Sequence, residues 1–250
     1  MAFPNDLFTR QIAEFGAHTR NEIVMVLDHM PLGATCVDSG AHIGTFSIPN
    51  AGKVRQGGRV LAVEGSSAIK RLPDNNERTN GFSGQIVTSE AIARDGTLRN
   101  LDRHDVPGNT GAGFYAPTDE NQLMATADTA RLLESLGINQ PRFVKIYIEG
   151  MEAIEVRNLS SLIGTCRPVL YIEIAADQLS RFRDTPDDIE RLLANTGYRF
   201  FRNCGQRNSS NGTYALVPIE TLAGSDRPFD LLALPPFQKN SSYKAPDNTI

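Results

Sequence analysis

Val37-Asp38-Ser39-Gly40-Ala41-His42-Ile43-Gly44 is the stretch whose reading decides the fold. The apolar run from Ala34 to Val37 reads as a buried strand closed by Asp38. Ser39 to Gly44 reads as a glycine loop. Ile43 to about Lys53 reads as a short helix, made imperfect by Pro49 and Gly52. Gly40 lets the backbone turn with little steric restriction, and Gly44 lets the helix approach the strand. A strand, a glycine loop and a helix in that order open a βαβ unit.

Outward from the loop, strands and helices alternate. Gly57-Gly58 is a turn, and Arg59-Val60-Leu61-Ala62-Val63-Glu64 is a second strand of the buried parallel type. Ser66 to Asn80 is helical in part, with Pro73 a break point, and Gln85 to Ser89 is a third strand. Residues 95–120 are rich in Gly, Asp, Asn and Pro and read as an irregular excursion with a short edge hairpin. Thr129 to Leu136 is helix with Asp128 as its cap, and Arg142 to Ile148 is a strand running into Glu149-Gly150. Glu152 to Ile163 is helix closed by Gly164, and Pro168 to Ile174 is a strand. Pro186 to Thr196 is helix, capped by Thr185 and ended by Gly197. Tyr198 to Phe201 and Thr213 to Val217 form a closing pair of strands.

The fold class predicted is α/β: a Rossmann-like, mostly parallel seven-stranded sheet with an antiparallel C-terminal strand and helices on both faces. Residues 5–30 read as one helix ended by Pro31 and Gly33, so residues 1–33 are expected to pack on the core as a helical segment. Residues 34–234 are expected to form one domain, and residues 235–250, polar and Pro-containing, a disordered tail.

Composition narrows the function. The chain has 250 residues and a net charge of −4, with no long basic run, so a broad phosphate-backbone footprint and a nucleic-acid partner are not expected. Cys36, Cys166 and Cys204 are odd in number and far apart, against a disulfide scaffold or a structural zinc site. The N-terminus lacks the basic-then-apolar pattern of a signal peptide, and no apolar run approaches the roughly 18 residues of a membrane span. These features point to a cytoplasmic protein with no membrane partner, and they leave a homo-oligomer open.

Three strands end in acid-bearing segments, Asp38, Glu64 and Glu149, where ligands of such sheets bind. A dinucleotide site prefers Gly-x-Gly-x-x-Gly, whose middle glycine makes room for a pyrophosphate. His42 occupies that place here, and Asp38 suits a cationic partner better than a diphosphate. S-adenosyl-L-methionine carries a sulfonium and an ammonium and no phosphate. The expected cofactor-binding residues are therefore Asp38, Ser39, Gly40, His42 and Gly44 of the loop, and Glu64, whose carboxylate can accept bonds from both ribose hydroxyls. Ser89 and Glu90, after the third strand, are placed to bond an adenine edge, and Ile92 to pack on its face. A nicotinamide cofactor and a ligand-free turn remain the alternatives at this point.

The residues resemble a known family. Val37 to Ser47 is similar to the first motif of the FkbM-type methyltransferases, and Gly58 to Glu64 to their second strand. Val144-Lys145-Ile146-Tyr147-Ile148-Glu149-Gly150-Met151-Glu152 resembles their Lys-Ile-Asp-Val-Glu-Gly-x-Glu signature, and Arg167 to Ile174 the Arg-Pro strand that follows. The resemblance implies a methyltransferase fold, S-adenosylmethionine as cofactor, and O-methylation of a sugar or natural-product hydroxyl. It places Asp38, Gly40 and Gly44 on the methionine side, Glu64 on the ribose, and Glu149 at the reaction site. The family's aspartate is Tyr147 here, which keeps a non-catalytic cofactor-binding member among the readings.

A hydroxyl acceptor benefits from a base. Glu149 is the first candidate and Glu173, ending the next strand, the second. Alternation along a strand makes Tyr147 and Glu149 face the same way, so Tyr147 can orient an acceptor through its hydroxyl. His42 reads as packing or bonding the loop, and His18, His29 and His104 as structural or exposed. No His/Asp/Glu spacing suggests a metal. Phe114 and Tyr115 in the excursion are expected to cover the acceptor, a small molecule or glycan.

Overall fold

A computed structural model of the chain describes residues 3–236, apart from residues 56, 122, 210, 225 and 226. The tail expected to be disordered lies almost wholly outside the described residues.

The N-terminal segment is two helices, α1 (Leu7–Phe15) and α2 (Arg20–Asp28). Asp6 caps α1 by accepting from the Phe8 N–H, and Gly16 ends it in a left-handed conformation at φ +80°. The single helix expected over 5–30 is broken there because Gly16 takes a C-cap geometry at low cost.

The chain then runs β1 (Thr35–Ser39), α3 (Ser47–Val54), β2 (Arg59–Glu64), α4 (Ser67–Thr79) and β3 (Ile86–Glu90). Pro49 sits in the first turn of α3, where its missing N–H is no loss. The excursion is not irregular: β4 (Ile92–Ala93), β5 (Leu98–His104), β6 (Phe114–Pro117) and β7 (Leu123–Ala127) form a second small sheet in the order β4-β7-β5-β6. After α5 (Thr129–Ser135) come β8 (Pro141–Ile146), α6 (Glu152–Asn158) and α7 (Ser160–Cys166). Asp128 caps α5 as expected. Gly164 lies within α7 rather than closing a longer helix. The chain finishes with β9 (Val169–Ile174), α8 (Ala176–Leu179), α9 (Pro186–Leu193), β10 (Arg199–Asn203), β11 (Leu216–Ile219) and β12 (Phe229–Leu234).

The main sheet has eight strands in the order β11-β10-β12-β9-β8-β1-β2-β3. The five strands from β3 to β9 are parallel, and β12 enters antiparallel beside β9. The α/β, mostly parallel Rossmann-like class holds. The expected count of seven is one short, because the run Phe229 to Leu234 is itself a strand. It is buried along its whole length, so it takes the inner place. The strand expected at Thr213–Val217 is the edge strand β11, with Val217 47% exposed and Pro218 tolerated at the rim.

Alternation divides the core between two faces. Val37, Leu61, Val63, Val144, Ile146, Leu170, Ile172 and Leu231 belong to one cluster, beneath α5, α6 and α9. Cys36, Val60, Ala62, Phe143, Tyr171 and Leu232 belong to the other, beneath α2 and α3. The same parity carries Asp38, Lys145, Glu173 and Asp230 onto the α2 side. No described helix is long and apolar enough to cross a membrane.

Candidate active site

The chain leaves β1 toward β2 and β3 and returns on the other side at β8, so the strand order reverses between β1 and β8. Ligands of open α/β sheets bind at the carboxyl ends of the strands at such a point. Gly40 follows β1 there and Tyr147 follows β8, and the Tyr147 N–H donates to the Ser39 carbonyl at 3.1 Å. A Cβ on Gly40 would stand 1.8 Å from the Tyr147 carbonyl oxygen, and its φ is +82°. Gly44, at φ +88°, would meet nothing nearer than 3.4 Å. Close approach therefore demands glycine at 40, whereas backbone conformation alone demands it at 44.

Two cavities meet at this point. One lies over Glu64 and is bordered by Gly65, Ile92, Phe114, Tyr115 and Met151; its volume is about 70 Å³. The other lies on the α2 side, bordered by His18, Glu22, Phe46, Glu173 and Arg207, with a volume of about 260 Å³. Gly40, His42, Tyr147 and Glu149 border both.

Glu64 is the fixed acid of the first cavity. Its Oε2 accepts the His42 N–H at 2.9 Å and its Oε1 accepts the Ser66 N–H at 2.8 Å. A carboxylate oxygen has two acceptor sites, so each retains capacity for a ligand hydroxyl. Burial pushes the Glu64 carboxyl up, against the pull of those two bonds. His42 holds φ +49°, and its Nε2 lies 3.0 Å from the Thr110 hydroxyl. Its Nδ1 is buried without a partner, and burial lowers the ring to about 4. The ring thus ties the loop to Thr110 of the excursion and to Phe8 of α1, rather than bonding the loop itself, and leaves one nitrogen without a partner.

Glu149 stands at φ +54°, outside β8, which ends at Ile146. Strand alternation therefore does not reach it, yet Glu149 and Tyr147 border the same two cavities. Burial and the neighbouring Glu152 raise the Glu149 carboxyl to about 7, against Arg181 and Arg207. Glu152 shapes this turn: it accepts the Ile148 and Gly150 N–H groups, each at 2.9 Å.

In the second cavity the Tyr147 hydroxyl donates to Asp230 Oδ1 at 3.2 Å and accepts from Arg207 at 2.5 Å. Arg207 Nε lies 3.3 Å from Glu22 Oε1. Glu173 borders the same space, and burial with Glu149 and Asp230 pushes it up to about 8.

The remaining expected residues lie elsewhere. Asp38 is fully buried: its Oδ2 accepts the Ser47 hydroxyl at 2.6 Å and its Oδ1 accepts Lys145 Nζ at 2.8 Å. Ser39 donates to Glu155 at 2.9 Å. Asp38, Ser39 and Gly44 border neither cavity. Ser89 is paired along β2 opposite Val63, and Glu90 is exposed on an outer cleft beside Ser66 and Arg103. Ile92 does line the first cavity. Phe114 and Tyr115 line the cavity over Glu64 and not the one on the α2 side. The Tyr115 hydroxyl donates to the Gly65 carbonyl at 2.9 Å. Among the described residues no cluster of three or more His, Cys, Asp or Glu is arranged to hold a metal.

The sequence matches the profile of the Methyltransferase FkbM domain over residues 38–200. The chain belongs to the FkbM methyltransferase family. The family uses S-adenosylmethionine, which is the cofactor. No curated protein matches the sequence. Among solved structures, a methyltransferase FkbM from Methylobacillus flagellatus KT is 17% identical with a TM-score of 0.47, over 80% of this chain and 43% of that one. This chain thus spans less than half of that relative. The precorrin-6y C5,15-methyltransferase of Geobacter metallireducens GS-15 is 13% identical with a TM-score of 0.49, over 87% of each chain. P. horikoshii TYW2 in complex with MeSAdo is 12% identical with a TM-score of 0.42, over 93% of this chain and 64% of that one. The assignment rests on the sequence match.

The donor set fits this cofactor. Glu64 offers unspent acceptor capacity, the buried His42 Nδ1 has no partner, and the acid Glu149 suits a cationic ligand better than a phosphate. Glu22 and Arg207, which border the second cavity, and Asp230, which accepts from the Tyr147 hydroxyl behind it, are residues that the sequence reading missed. Asp230 had a signal: it is the single acid in an apolar run, like Asp38 and Glu64. Glu22, in a helix, and Arg207, in a polar turn, had none.

Proposed function

We propose that this chain transfers a methyl group from S-adenosylmethionine to a hydroxyl of a small molecule or glycan held in the larger cavity. The observation that carries the reading is the pair of cavities sharing Gly40, Tyr147 and Glu149, with Glu64 on one side only and Glu173 on the other. Glu64 accepts the ribose hydroxyls, and Ile92 and Met151 pack around the adenosine. The loop at Gly40 and His42 takes the methionine side. Asp38 acts on that loop indirectly, by holding Lys145.

When bound, the cofactor supplies a methyl group on a good sulfonium leaving group, so the protein mainly aligns the acceptor and excludes water. Glu149 takes the acceptor's hydroxyl proton. A carboxyl raised to about 7 is half ionised at neutral pH, which suits a base operating there. Tyr147 positions the acceptor, and Asp230 holds its hydroxyl. Glu173 is the second candidate base. Residues 34–234 form the catalytic domain in this reading, and α2 from the N-terminal segment builds one wall of the acceptor cavity. Three unpaired cysteines agree with a reducing cytoplasm.

The test is calorimetric titration with S-adenosylhomocysteine, followed by a screen for methyl transfer to hydroxylated acceptors. Binding of the product cofactor with no transfer to any acceptor would favour a non-catalytic member. No binding would overturn the reading.

A further inference from the structure

The acceptor cavity is unevenly charged. Glu22, Glu149 and Glu173 border it, and Asp230 stands behind Tyr147. Glu22, Glu173 and Asp230 are 1%, 6% and 5% exposed. Two cations border the same space, Lys145 and Arg207. Lys145 is already committed, to Asp38 at 2.8 Å and to the Gly40 carbonyl at 3.0 Å. That leaves Arg207 facing four acids.

Arg207 donates to the Tyr147 hydroxyl at 2.5 Å and stands farther from the acids. Its side chain is 51% exposed, and its nitrogens stand 3.3 Å from Glu22 and 3.6 Å from Asp230. Glu22 Oε1 makes no hydrogen bond despite that proximity. Two buried groups bordering the cavity are also unpartnered: Glu173 Oε2 and the Thr19 hydroxyl, on a residue 3% exposed. Buried acceptors without donors are costly, and a ligand that supplies N–H donors and positive charge relieves that cost. A neutral sugar supplies donors without charge. An anionic acceptor would face the acids and gain only Arg207.

We propose that the acceptor carries a protonated amine beside the hydroxyl that is methylated, that Glu173 and Glu22 bind this ammonium, and that Arg207 is the resident counter-cation it displaces. Amino sugars and amino alcohols have this chemistry. The inference rests on the proposed function, since it assigns the larger cavity to the acceptor. Glu149 is then free to serve the hydroxyl while Glu173, on the neighbouring strand, holds the amine. Burial raises Glu22 and Glu173 to about 8, and an ammonium favours their ionised forms, whose charge-assisted bonds are about twice as strong as neutral ones.

The experiment uses the full chain saturated with S-adenosylhomocysteine, whose own binding is measured first. Glucosamine, glucose, N-acetylglucosamine and glucuronate are then titrated in, with ethanolamine against ethylene glycol as a pair free of ring shape. The expected result is at least tenfold tighter binding of glucosamine and ethanolamine than of their neutral counterparts. Glu173→Gln and Glu22→Gln should each remove most of that preference. Arg207→Ala, at a half-exposed position, should strengthen the cationic probes relative to the neutral ones. Equal binding of cationic and neutral probes, absence of binding by all of them, or tighter binding of glucuronate that Arg207→Ala abolishes would each overturn the proposal. Failure of S-adenosylhomocysteine to bind would instead sink the functional reading beneath it.

Discussion

Lys145 Nζ lies 2.8 Å from Asp38 Oδ1, with the two side chains 4% and 0% exposed. The residues face each other across the parallel pair β1 and β8. Lys145 also bonds the Ser39 and Gly40 carbonyls, at 3.4 and 3.0 Å, so the pair ties the loop to the neighbouring strand. The acid at the end of β1 has thus found its cation within the chain. Removing one partner of a buried pair leaves an uncompensated charge and costs about 3–5 kcal/mol. Lys145→Met should lose that much in urea unfolding. The double variant with Asp38→Asn should recover part of it, and additive losses would show the two residues to be uncoupled.

The two loop glycines separate close approach from backbone conformation. Gly40→Ala places a Cβ 1.8 Å from a backbone oxygen at a positive φ, so both strands must move. Gly44→Ala meets only ordinary contacts and bears the left-handed penalty of about 1–2 kcal/mol. Gly44→Ala should therefore fold with a modest fall in Tm, and Gly40→Ala should lose several times as much. Similar losses in the two would contradict this division.

The parallel sheet was legible because its strands are continuous apolar runs ended by acids or glycines. Glu64 was legible for the same reason, whereas Glu149 stands beyond the end of β8 in a left-handed turn. The small second sheet was not, because β5 reads Leu98-Arg99-Asn100-Leu101-Asp102-Arg103-His104, a largely exposed strand without alternation. The break after α1 turned on one glycine in an otherwise periodic stretch. Asp38 shows a deeper limit: a strand-end acid looks the same in sequence whether it meets a ligand or a lysine from a distant strand. Which charges meet is decided by register, and Glu22 and Arg207 come to the site only through tertiary packing.

Glu64 should be the residue on which cofactor affinity depends most. A hydrogen bond to a charged group contributes about 1.5–3 kcal/mol, so loss of one reduces affinity roughly 10- to 100-fold. Glu64→Ala should weaken S-adenosylhomocysteine by at least that much in calorimetry. Tyr115 lines the same cavity, and its hydroxyl donates to the Gly65 carbonyl. The cavity opens onto the neighbouring clefts, and Tyr115 stands at the boundary with the outer one. Tyr115→Ala should change cofactor affinity while acceptor affinity, measured on the saturated protein, stays constant; the reverse pattern would return Tyr115 to the acceptor.

The cofactor-free protein should lose stability as pH rises from 6.5 to about 8. Burial raises Glu22, Glu152 and Glu173 to about 8 and Glu149 and Glu155 to about 7, from an ordinary 4.5. Over that interval the folded state binds more protons than the unfolded one, so stability falls with pH. His18 and His42, lowered to about 3 and 4, act oppositely, but their contribution is complete once pH passes the ordinary 6.5. The Tm should therefore decline across pH 6.5–8, and Glu173→Gln should flatten the decline. A Tm that rises over this interval would contradict the burial of these acids as ionisable groups.

Glu149 is the group whose ionisation should govern turnover. It borders both cavities, and its carboxyl is raised to about 7 by burial and by Glu152. A base must be unprotonated to accept the acceptor's proton, so kcat/KM should fall about tenfold per pH unit below 7. Glu149→Gln keeps the shape and hydrogen-bonding capacity but cannot take the proton. It should lower kcat by about 10²–10⁴ and abolish the acid limb, while S-adenosylhomocysteine affinity changes by less than about threefold. Equal losses in binding and transfer would make Glu149 a cofactor ligand instead. Retention of the limb with Glu149→Gln and its loss with Glu173→Gln would move the base to the next strand, and the ammonium site proposed at Glu173 would then fail with it.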